Sequence, residues 1–236
     1  MLLEIQNISK IFGGLTAINN LSCTVNSSDI VGLIGPNGAG KTTLFNCISG
    51  FFKPESGRII FDNGDITGVR PDLICHRGVA RTFQNVKSFG EMTLLDNVMV
   101  GSFSAAKTKA ESRDIAIDSL EFVGLIDRAD DLAKDLTIGN RKKLEVARAI
   151  ATNPKLLLLD EVMAGLNSTE LQQMLLLLRE LNARGIAILL IEHIMAAVMN
   201  ISKKVIVIHH GEKIAEGLPS EVSTNKLVIE AYFGEE

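Results

Sequence analysis

The sequence predicts an α/β fold built around a mostly parallel sheet. Short uncharged apolar runs, such as Leu156–Leu159, Ile186–Ile191 and Val205–Ile208, alternate with segments of helical periodicity. Buried parallel strands that helices cover on both faces have this composition. A glycine-rich loop at residues 35–40 also lies between the apolar run Ile30–Ile34 and a helical segment. With 236 residues, the chain can form one large domain or two small ones.

Composition narrows the class of protein. Hydrophobic residues make up 46% of the chain and charged residues 22%, which is typical of a folded globular protein. The net charge of −4 gives no basic surplus, so nucleic acid is not expected as a partner. Three cysteines without metal-ligand spacing indicate reduced thiols in a cytosolic protein. We expect neither a signal peptide nor a membrane span, because the apolar runs are too short.

The chain changes its pattern between about residues 88 and 150. Before this stretch, Leu21–Val25 and Arg58–Phe61 alternate as strands, Pro71–His76 fits a short helix, and residues 78–84 have strand character. The stretch itself has apolar residues at helical spacing and lacks the runs of buried strands. We interpret it as a helical subdomain inserted into a single domain, whose α/β core is formed by about residues 1–87 and 151–236.

The glycine-rich loop has the pattern of a phosphate-binding loop in the required order of strand, loop and helix. Its glycines have no Cβ and can take positive φ, so backbone N–H groups can converge on an anion. Lys41 would bring a cation to the β- and γ-phosphates of a nucleotide, and Thr42 a hydroxyl to Mg²⁺. An ordinary glycine-rich turn before a surface lysine is the alternative. The residues assigned to nucleotide binding are Gly35, Pro36, Asn37, Gly38, Ala39, Gly40, Lys41, Thr42 and Thr43.

Polar side chains follow three further strands of the predicted sheet. Because the carboxyl ends of parallel strands face one crevice, these side chains are expected near the phosphate loop. Asp160 would reach Mg²⁺, directly or through water, and Glu161 would orient and polarise the attacking water. Gln84 could coordinate Mg²⁺ or the water, and His193 could donate to the γ-phosphate. The alternatives are a loop or a helix cap for the acidic pair, and structural roles for Gln84 and His193. Three other histidines lack this placement and are expected at the surface or in turns: His76, His209 and His210.

Taken together, these motifs resemble the ATP-binding cassette ATPases in order and spacing, over essentially the whole chain. The motifs that carry the resemblance are Gly35–Thr42, Gln84, Leu136–Asn140, Leu156–Glu161, Ala164–Asn167 and His193. Within that superfamily, four further strings look like the ATPase subunits of branched-chain amino-acid importers: Asp65–Gly68, Ala80–Lys87, Glu91–Val98 and Ala231–Tyr232.

The resemblance implies a P-loop NTPase (RecA-like) core with an N-terminal antiparallel β subdomain and the inserted helical subdomain. It also implies an enzyme that hydrolyses ATP with Mg²⁺. The catalytic residues would be Lys41, Gln84, Glu161 and His193, and the metal ligands Thr42, Gln84 and Asp160. Phe12 would stack on adenine, although a core aromatic explains a single phenylalanine equally well.

The partners implied by the resemblance begin with a second cassette. Two chains, identical or related, would form a head-to-tail dimer around two MgATP, and Thr137, Gly139 and Asn140 of one chain would touch the γ-phosphate held by the other. A capped helix is the alternative for that segment. Integral membrane transport subunits and a periplasmic or extracellular solute-binding protein would complete an amino-acid importer. The chain would then be peripheral, at the cytoplasmic face of the inner membrane.

A candidate contact for the membrane subunits is the segment after Gln84. It carries the apolar side chains Phe89, Met92 and Leu95, and the core of the helical subdomain explains them equally well.

Three positions depart from the family pattern. Asn140 replaces the usual glutamine, Val162 the usual proline and Ile194 the usual aspartate. The departures leave open a module that senses ATP with little turnover. A soluble ATPase acting on DNA or the ribosome is a further alternative, but such members carry paired cassettes or long coiled-coil insertions, which this chain lacks.

Overall fold

The computed structural model describes residues 1–83 and 89–234, and these form two sheets with surrounding helices. The strands are β1 (Leu3–Phe12), β2 (Leu15–Val25), β3 (Ile30–Ile34), β4 (Ser56–Phe61), β5 (Gly64–Asp65), β6 (Val79–Arg81), β7 (Leu156–Asp160), β8 (Ala187–Ile191), β9 (Lys204–His209) and β10 (Glu212–Gly217). The helices are α1 (Lys41–Ile48), α2 (Pro71–His76), α3 (Leu94–Ser102), α4 (Lys109–Phe122), α5 (Ile138–Ile150), α6 (Ser168–Ala183), α7 (Met195–Ile201), α8 (Pro219–Ser223) and α9 (Lys226–Phe233).

The larger sheet has the strand order β10-β9-β3-β8-β7-β6. Neighbours from β9 to β6 are parallel, and β10 is an antiparallel edge. Every residue of β3, β7 and β8 is buried, as expected for strands covered on both faces. The predicted parallel sheet is confirmed. The carboxyl ends of β3, β6, β7, β8 and β9 therefore lie along one edge.

The side chains of the parallel strands alternate between two hydrophobic clusters. In β3, Ile30 and Ile34 belong to the first cluster, whereas Val31 and Leu33 belong to the second. The first cluster includes buried residues of α3 to α7, and the second includes α1 and the N-terminal strands. The sheet is thus the central layer, and α1 packs on the face that the N-terminal strands cover.

The smaller sheet has the order β2-β1-β4-β5 with antiparallel neighbours, which confirms the N-terminal antiparallel subdomain. β2 begins at Leu15, earlier than the predicted Leu21. The reason is a tight hairpin at residues 13–14, across which Phe12 pairs with Leu15. Phe12 therefore lies at the end of a β-hairpin beside the phosphate loop.

Residues 89–150 form α3, α4, α5 and two short 3₁₀ turns. Each helix begins after a threonine whose hydroxyl accepts a first-turn N–H: Thr93, Thr108 and Thr137. The helical pattern is confirmed, whereas the division of the chain at residues 88 and 150 stays a prediction. In the described ranges, the helices are all too short or too polar to cross a membrane.

β6 ends at Arg81, so the strand character predicted for residues 78–84 does not extend through Thr82 and Phe83. The Thr82 hydroxyl accepts the Asp160 N–H at 3.2 Å. This side-chain bond takes the place of a backbone bond of the ladder, and the strand ends there.

Candidate active site

The phosphate loop connects β3 to α1, and its glycines are required by close backbone contacts. Gly35 has φ 152°, and a Cβ there would lie 2.1 Å from the Ile208 carbonyl oxygen. Gly40 has φ 105°, and a Cβ there would lie 2.5 Å from the Ala17 carbonyl oxygen. A side chain at either position would displace the backbone of a neighbouring segment.

Lys41 lies at the start of α1 and is almost completely buried. Its Nζ donates to the carbonyl oxygens of Gly35 at 2.7 Å and Pro36 at 2.9 Å. Burial lowers the pKa of Lys41, while the carboxylates of Asp160 and Glu161 oppose that shift. The lysine is therefore held inside the loop, with two carboxylates nearby.

A cleft of about 400 Å³ opens over this loop. Lys41, Thr42 and Thr43 line it together with the side chains of Glu161 and His193, so residues far apart in sequence meet there. The other residues around the cleft are Phe12, Leu15, Thr16, Ala17, Asn37, Gly38, Ala39, Gly40 and His210. Phe12 is 41% exposed and packs edge-on against Phe52 at 5.1 Å between ring centroids, so it contributes a partly free ring to the rim.

His210 corrects the sequence analysis, which left it outside the crevice. It is an exposed turn residue after β9, as expected, but it also lines the cleft. Because β9 pairs with β3 in parallel, its carboxyl end lies beside the phosphate loop. The alternation of strands contained this signal, since His210 lies two residues after the run Val205–Ile208. The contributions of Leu15, Thr16 and Ala17 were also missed, because they depend on where the β1–β2 hairpin packs.

Asp160 ends β7 and is 1% exposed. Its Oδ2 accepts from Arg81 Nη2 at 3.1 Å, and burial raises the pKa of its carboxyl against the opposing effect of Arg81. Among the described residues, its Oδ1 is buried without a hydrogen-bond partner. A buried carboxylate oxygen without a partner suits Mg²⁺, which binds through few protein ligands and keeps several waters. Within the same described part, no group of three acidic, histidine or cysteine side chains forms a complete metal site.

Glu161 and His193 meet at the mouth of the cleft. His193 Nε2 lies 2.8 Å from Glu161 Oε1, and the backbone N–H of Glu161 donates to the Ile191 carbonyl at 2.9 Å. Glu161 has φ 54°, a left-handed conformation that is unfavourable for a residue with a side chain. Gln84, the remaining catalytic and metal-binding candidate, lies outside the described residues.

The segment Thr137–Asn140 lies apart from this cleft. The Thr137 hydroxyl accepts the Asn140 N–H at 3.4 Å, so the predicted cap of α5 is present. Gly139 is buried, and a Cβ there would meet Glu170 Oε1 at 2.3 Å. The residues that line the cleft in the described part of the chain do not include Thr137, Gly139 or Asn140.

Comparison with known proteins identifies this arrangement. A family model described as "ABC transporter" matches residues 18–164, and one described as "Branched-chain amino acid ATP-binding cassette transporter" matches residues 212–236. The chain is an ATP-binding cassette of the ABC transporter family. Cassettes of this family bind ATP or ADP and hydrolyse ATP, so the chain is an ATPase.

Similar proteins cover the cassette from end to end. It is 41% identical to the "High-affinity branched-chain amino acid transport ATP-binding protein LivG" of Salmonella typhimurium, over 99% of this chain and 98% of that protein. The solved ADP conformation of the cassette MJ1267 has a TM-score of 0.90 and 36% identity, over 99% of each chain. The cassette MJ0796, solved as a dimer, has a TM-score of 0.83 and 25% identity, over 92% of this chain and 99% of that one.

The cassette has a second buried carboxylate behind its active site. Glu192 precedes His193 and is 2% exposed, and burial raises its pKa to about 7 despite a hydrogen bond from the Met163 N–H. The pKa of this carboxyl is thus higher in the folded than in the unfolded state. As the pH rises above the pKa of the unfolded state, the carboxyl therefore lowers the free energy of unfolding.

Replacing Glu192 with glutamine removes this titration. We expect the free energy of unfolding of Glu192→Gln, relative to the wild type, to rise by about 2 kcal/mol from about pH 5.5 to about pH 8. Urea unfolding at several pH values measures the difference. A difference that stays constant with pH would show that Glu192 is not neutralised in the folded cassette.

Proposed function

We propose that the cassette is the ATP-hydrolysing, energy-coupling subunit of an importer for branched-chain or other amino acids. The observation that carries the proposal is the meeting of Glu161 and His193 over the phosphate loop, in a chain whose full-length relatives are named as branched-chain amino-acid transport ATP-binding proteins. The match of residues 212–236 to a branched-chain amino-acid transporter model supports the same solute class.

Hydrolysis in this site depends on positioning and charge. The loop amides and Lys41 would hold the β- and γ-phosphates. Thr42 and Asp160, together with Gln84, would hold Mg²⁺, which when bound would neutralise phosphate charge. Glu161 would orient a water and take its proton while the water oxygen bonds to the γ-phosphorus and the bond to the β,γ-bridging oxygen breaks. The products are ADP and phosphate, and His193 would donate to an oxygen of the leaving γ-phosphoryl group.

The position of Thr137–Asn140 supports a head-to-tail dimer. The segment lies away from its own cleft, and Ile138 within it is 58% exposed. It heads α5, a helix whose first turn contains no acidic residue, so its N-terminus suits an anion. We infer that Thr137, Gly139 and Asn140 meet the γ-phosphate held by a second cassette, either a copy of this chain or a related subunit. Phe12, at the rim of the cleft, would face the adenine.

Mixing two inactive variants tests this dimer. Lys41→Ala removes the phosphate-loop cation, and Ile138→Glu places a negative charge at the exposed position of the segment that the second phosphate would approach. Each variant alone should hydrolyse ATP very slowly. An equal mixture should recover about a quarter of the wild-type rate, because half of the dimers are then hybrids with one complete site. A mixture as slow as its components would contradict a site built from two identical chains.

A second cavity supports a contact with membrane subunits. It has a volume of about 420 Å³ and lies between α2, β6, α3 and α5. Exposed aromatic rings at its edge, Phe51 and Phe89, give it an apolar mouth. Leu95 is instead 6% exposed inside the first hydrophobic cluster, so the core explains that residue. We propose that an apolar helical segment of an integral transport subunit binds here and holds the cassette at the cytoplasmic face of the inner membrane.

Transport assays test the proposal as a whole. In the source cells, loss of this chain should abolish ATP-dependent uptake of radiolabelled leucine, isoleucine or valine at limiting concentration, and the wild-type chain should restore it. Glu161→Gln should not restore uptake. Co-purification should recover integral membrane subunits and a periplasmic or extracellular solute-binding protein. If uptake of all amino acids is unchanged while purified protein still hydrolyses ATP, the importer assignment is wrong and an ATPase with another role remains.

A further inference from the structure

Two buried polar side chains, a lysine and a glutamate, hold the turn that follows β7. Lys142 of α5 is 4% exposed, and its Nζ donates to the carbonyl oxygen of Glu161 at 2.9 Å. Glu192, after β8, accepts the N–H of Met163 with Oε1 at 2.7 Å. The backbone N–H of His193 also faces the Glu192 carboxylate. Residues 161–163, which we call the Glu161 turn, are therefore bonded from α5 on one side and from the end of β8 on the other.

Packing alone does not explain these two charges. Burial of an ammonium and a carboxylate costs free energy, and apolar side chains of similar size often stabilise a core equally well. Val162 and Met163 beside them are almost completely buried without any charge. The lysine and the glutamate are therefore suited to fixing a conformation rather than to filling the core.

The Glu161 turn has a conformation that needs such support. The left-handed conformation is unfavourable for a residue with a side chain, and surrounding contacts must hold it in place. The bonds from Lys142 and Glu192 are made to the carbonyl of Glu161 and to the N–H two residues later. They fix both ends of the turn and thereby the direction of the Glu161 side chain toward the cleft.

The two bonds also connect Glu161 to α5, which carries the proposed dimer contact, and to His193. Lys142 lies in the first turn and a half of α5, just after the segment proposed to meet the second cassette's nucleotide. Glu192 joins the Glu161 turn to His193, the proposed γ-phosphate donor. A shift of α5 would move the Glu161 carbonyl through Lys142, whereas Glu192 keeps the two active-site loops together.

We propose that Lys142 and Glu192 are positioning residues for ATP hydrolysis, which hold the Glu161 turn so that the Glu161 carboxylate points at the attacking water. Lys142 makes this orientation depend on the position of α5. The inference rests on the proposed role of Glu161, and neither residue is among those that line the cleft in the described part of the chain.

Steady-state and single-turnover ATP hydrolysis by the purified full-length cassette test the proposal. Lys142→Met and Glu192→Met, which each remove the hydrogen bond to the Glu161 turn, should lower kcat by about tenfold or more, because a misplaced carboxylate loses orientation, while KM stays within about twofold. Lys142→Arg keeps a cation and should recover most of the rate. Lys143→Met, whose Nζ bonds Gln173 at the surface, and Glu180→Gln, in an exposed ion pair, are matched controls that should leave kcat unchanged.

The controls separate the possible failures. Wild-type kcat in both Lys142→Met and Glu192→Met would overturn the proposal. A kcat that falls only in proportion to the loss of ATP binding would overturn it as well. If Lys142→Met does not fold, Lys142→Gln, which keeps a neutral donor, is measured in its place. A lower kcat with nearly unchanged KM supports the proposal, and a wild-type kcat overturns it. Glu161→Gln is measured in parallel. Full turnover in that variant would reject the role of Glu161, whereas its inactivity beside normal Lys142 and Glu192 variants would reject only the positioning role.

Discussion

Replacing Glu161 with glutamine should lower steady-state ATP hydrolysis by about a hundredfold or more. The amide keeps the size of the side chain and an oxygen for His193, now 2.8 Å from Glu161 Oε1, but it cannot take a proton from water. ATP affinity should change little, because in the proposed site Lys41 and the loop amides hold the phosphates. Phosphate release and equilibrium binding of a fluorescent ATP analogue measure the two quantities separately.

Glu91→Gln is a suitable control for this variant. Glu91 is an exposed glutamate, paired with Lys134 at 2.9 Å, and it lies outside the residues that line the cleft in the described part of the chain. The steady-state rate of ATP hydrolysis by Glu91→Gln should match that of the wild type. Multiple turnovers at the original rate in Glu161→Gln would remove Glu161 from the mechanism. A wild-type protein that binds ATP without releasing phosphate would instead support a sensing module.

Replacing Arg81 with methionine should destabilise the cassette by about 3 to 5 kcal/mol at neutral pH. Arg81 Nη2 donates to Asp160 at 3.1 Å, and both side chains are less than a tenth exposed. Its Nη1 also donates to Asn46 Oδ1 at 2.6 Å and Ser49 Oγ at 3.1 Å. The variant leaves a buried carboxylate without its counter-charge. Urea unfolding in the absence of nucleotide and Mg²⁺ measures the loss.

A double variant separates charge from packing in this pair. Arg81→Met with Asp160→Asn removes both charges and should recover much of the lost stability, although it also removes a proposed metal ligand. Arg70→Met, which breaks an exposed pair with Asp72, should leave the unfolding midpoint unchanged. If Arg81→Met unfolds at the same urea concentration as the wild type, Asp160 has no need of a counter-charge.

Most of the candidate site could be predicted from the sequence because its signals are local. The phosphate loop is a contiguous pattern between a strand and a helix, and β3 has the predicted bounds Ile30–Ile34. Glu161 and His193 follow uncharged runs, and the rule that parallel strands end at one edge brings them together without further information. The helix Pro71–His76 was also predicted with its observed bounds, because proline and histidine mark its ends.

The contacts around this set could not be predicted in the same way. Arg81 and Asp160 are 79 residues apart in sequence, and nothing in the pattern of either segment indicates that their side chains form a buried pair. The end of β6 at Arg81 depends on a hydroxyl bond to β7, so a strand propensity that continued through Phe83 gave the wrong boundary.

The sequence by itself determined the class of this protein: a parallel α/β sheet, a phosphate loop, and the strand-end carboxylates and histidine of an ATPase. These features depend on hydrophobic periodicity and on short motifs, which act over a few residues. Only the tertiary structure decided how Glu161 is held, through Lys142 and Glu192, and how Asp160 is neutralised by Arg81. Charged side chains become buried only when distant strands and helices pack, and the free-energy cost of burying them arises in that step. The partners that offset this cost are therefore decided by the tertiary structure.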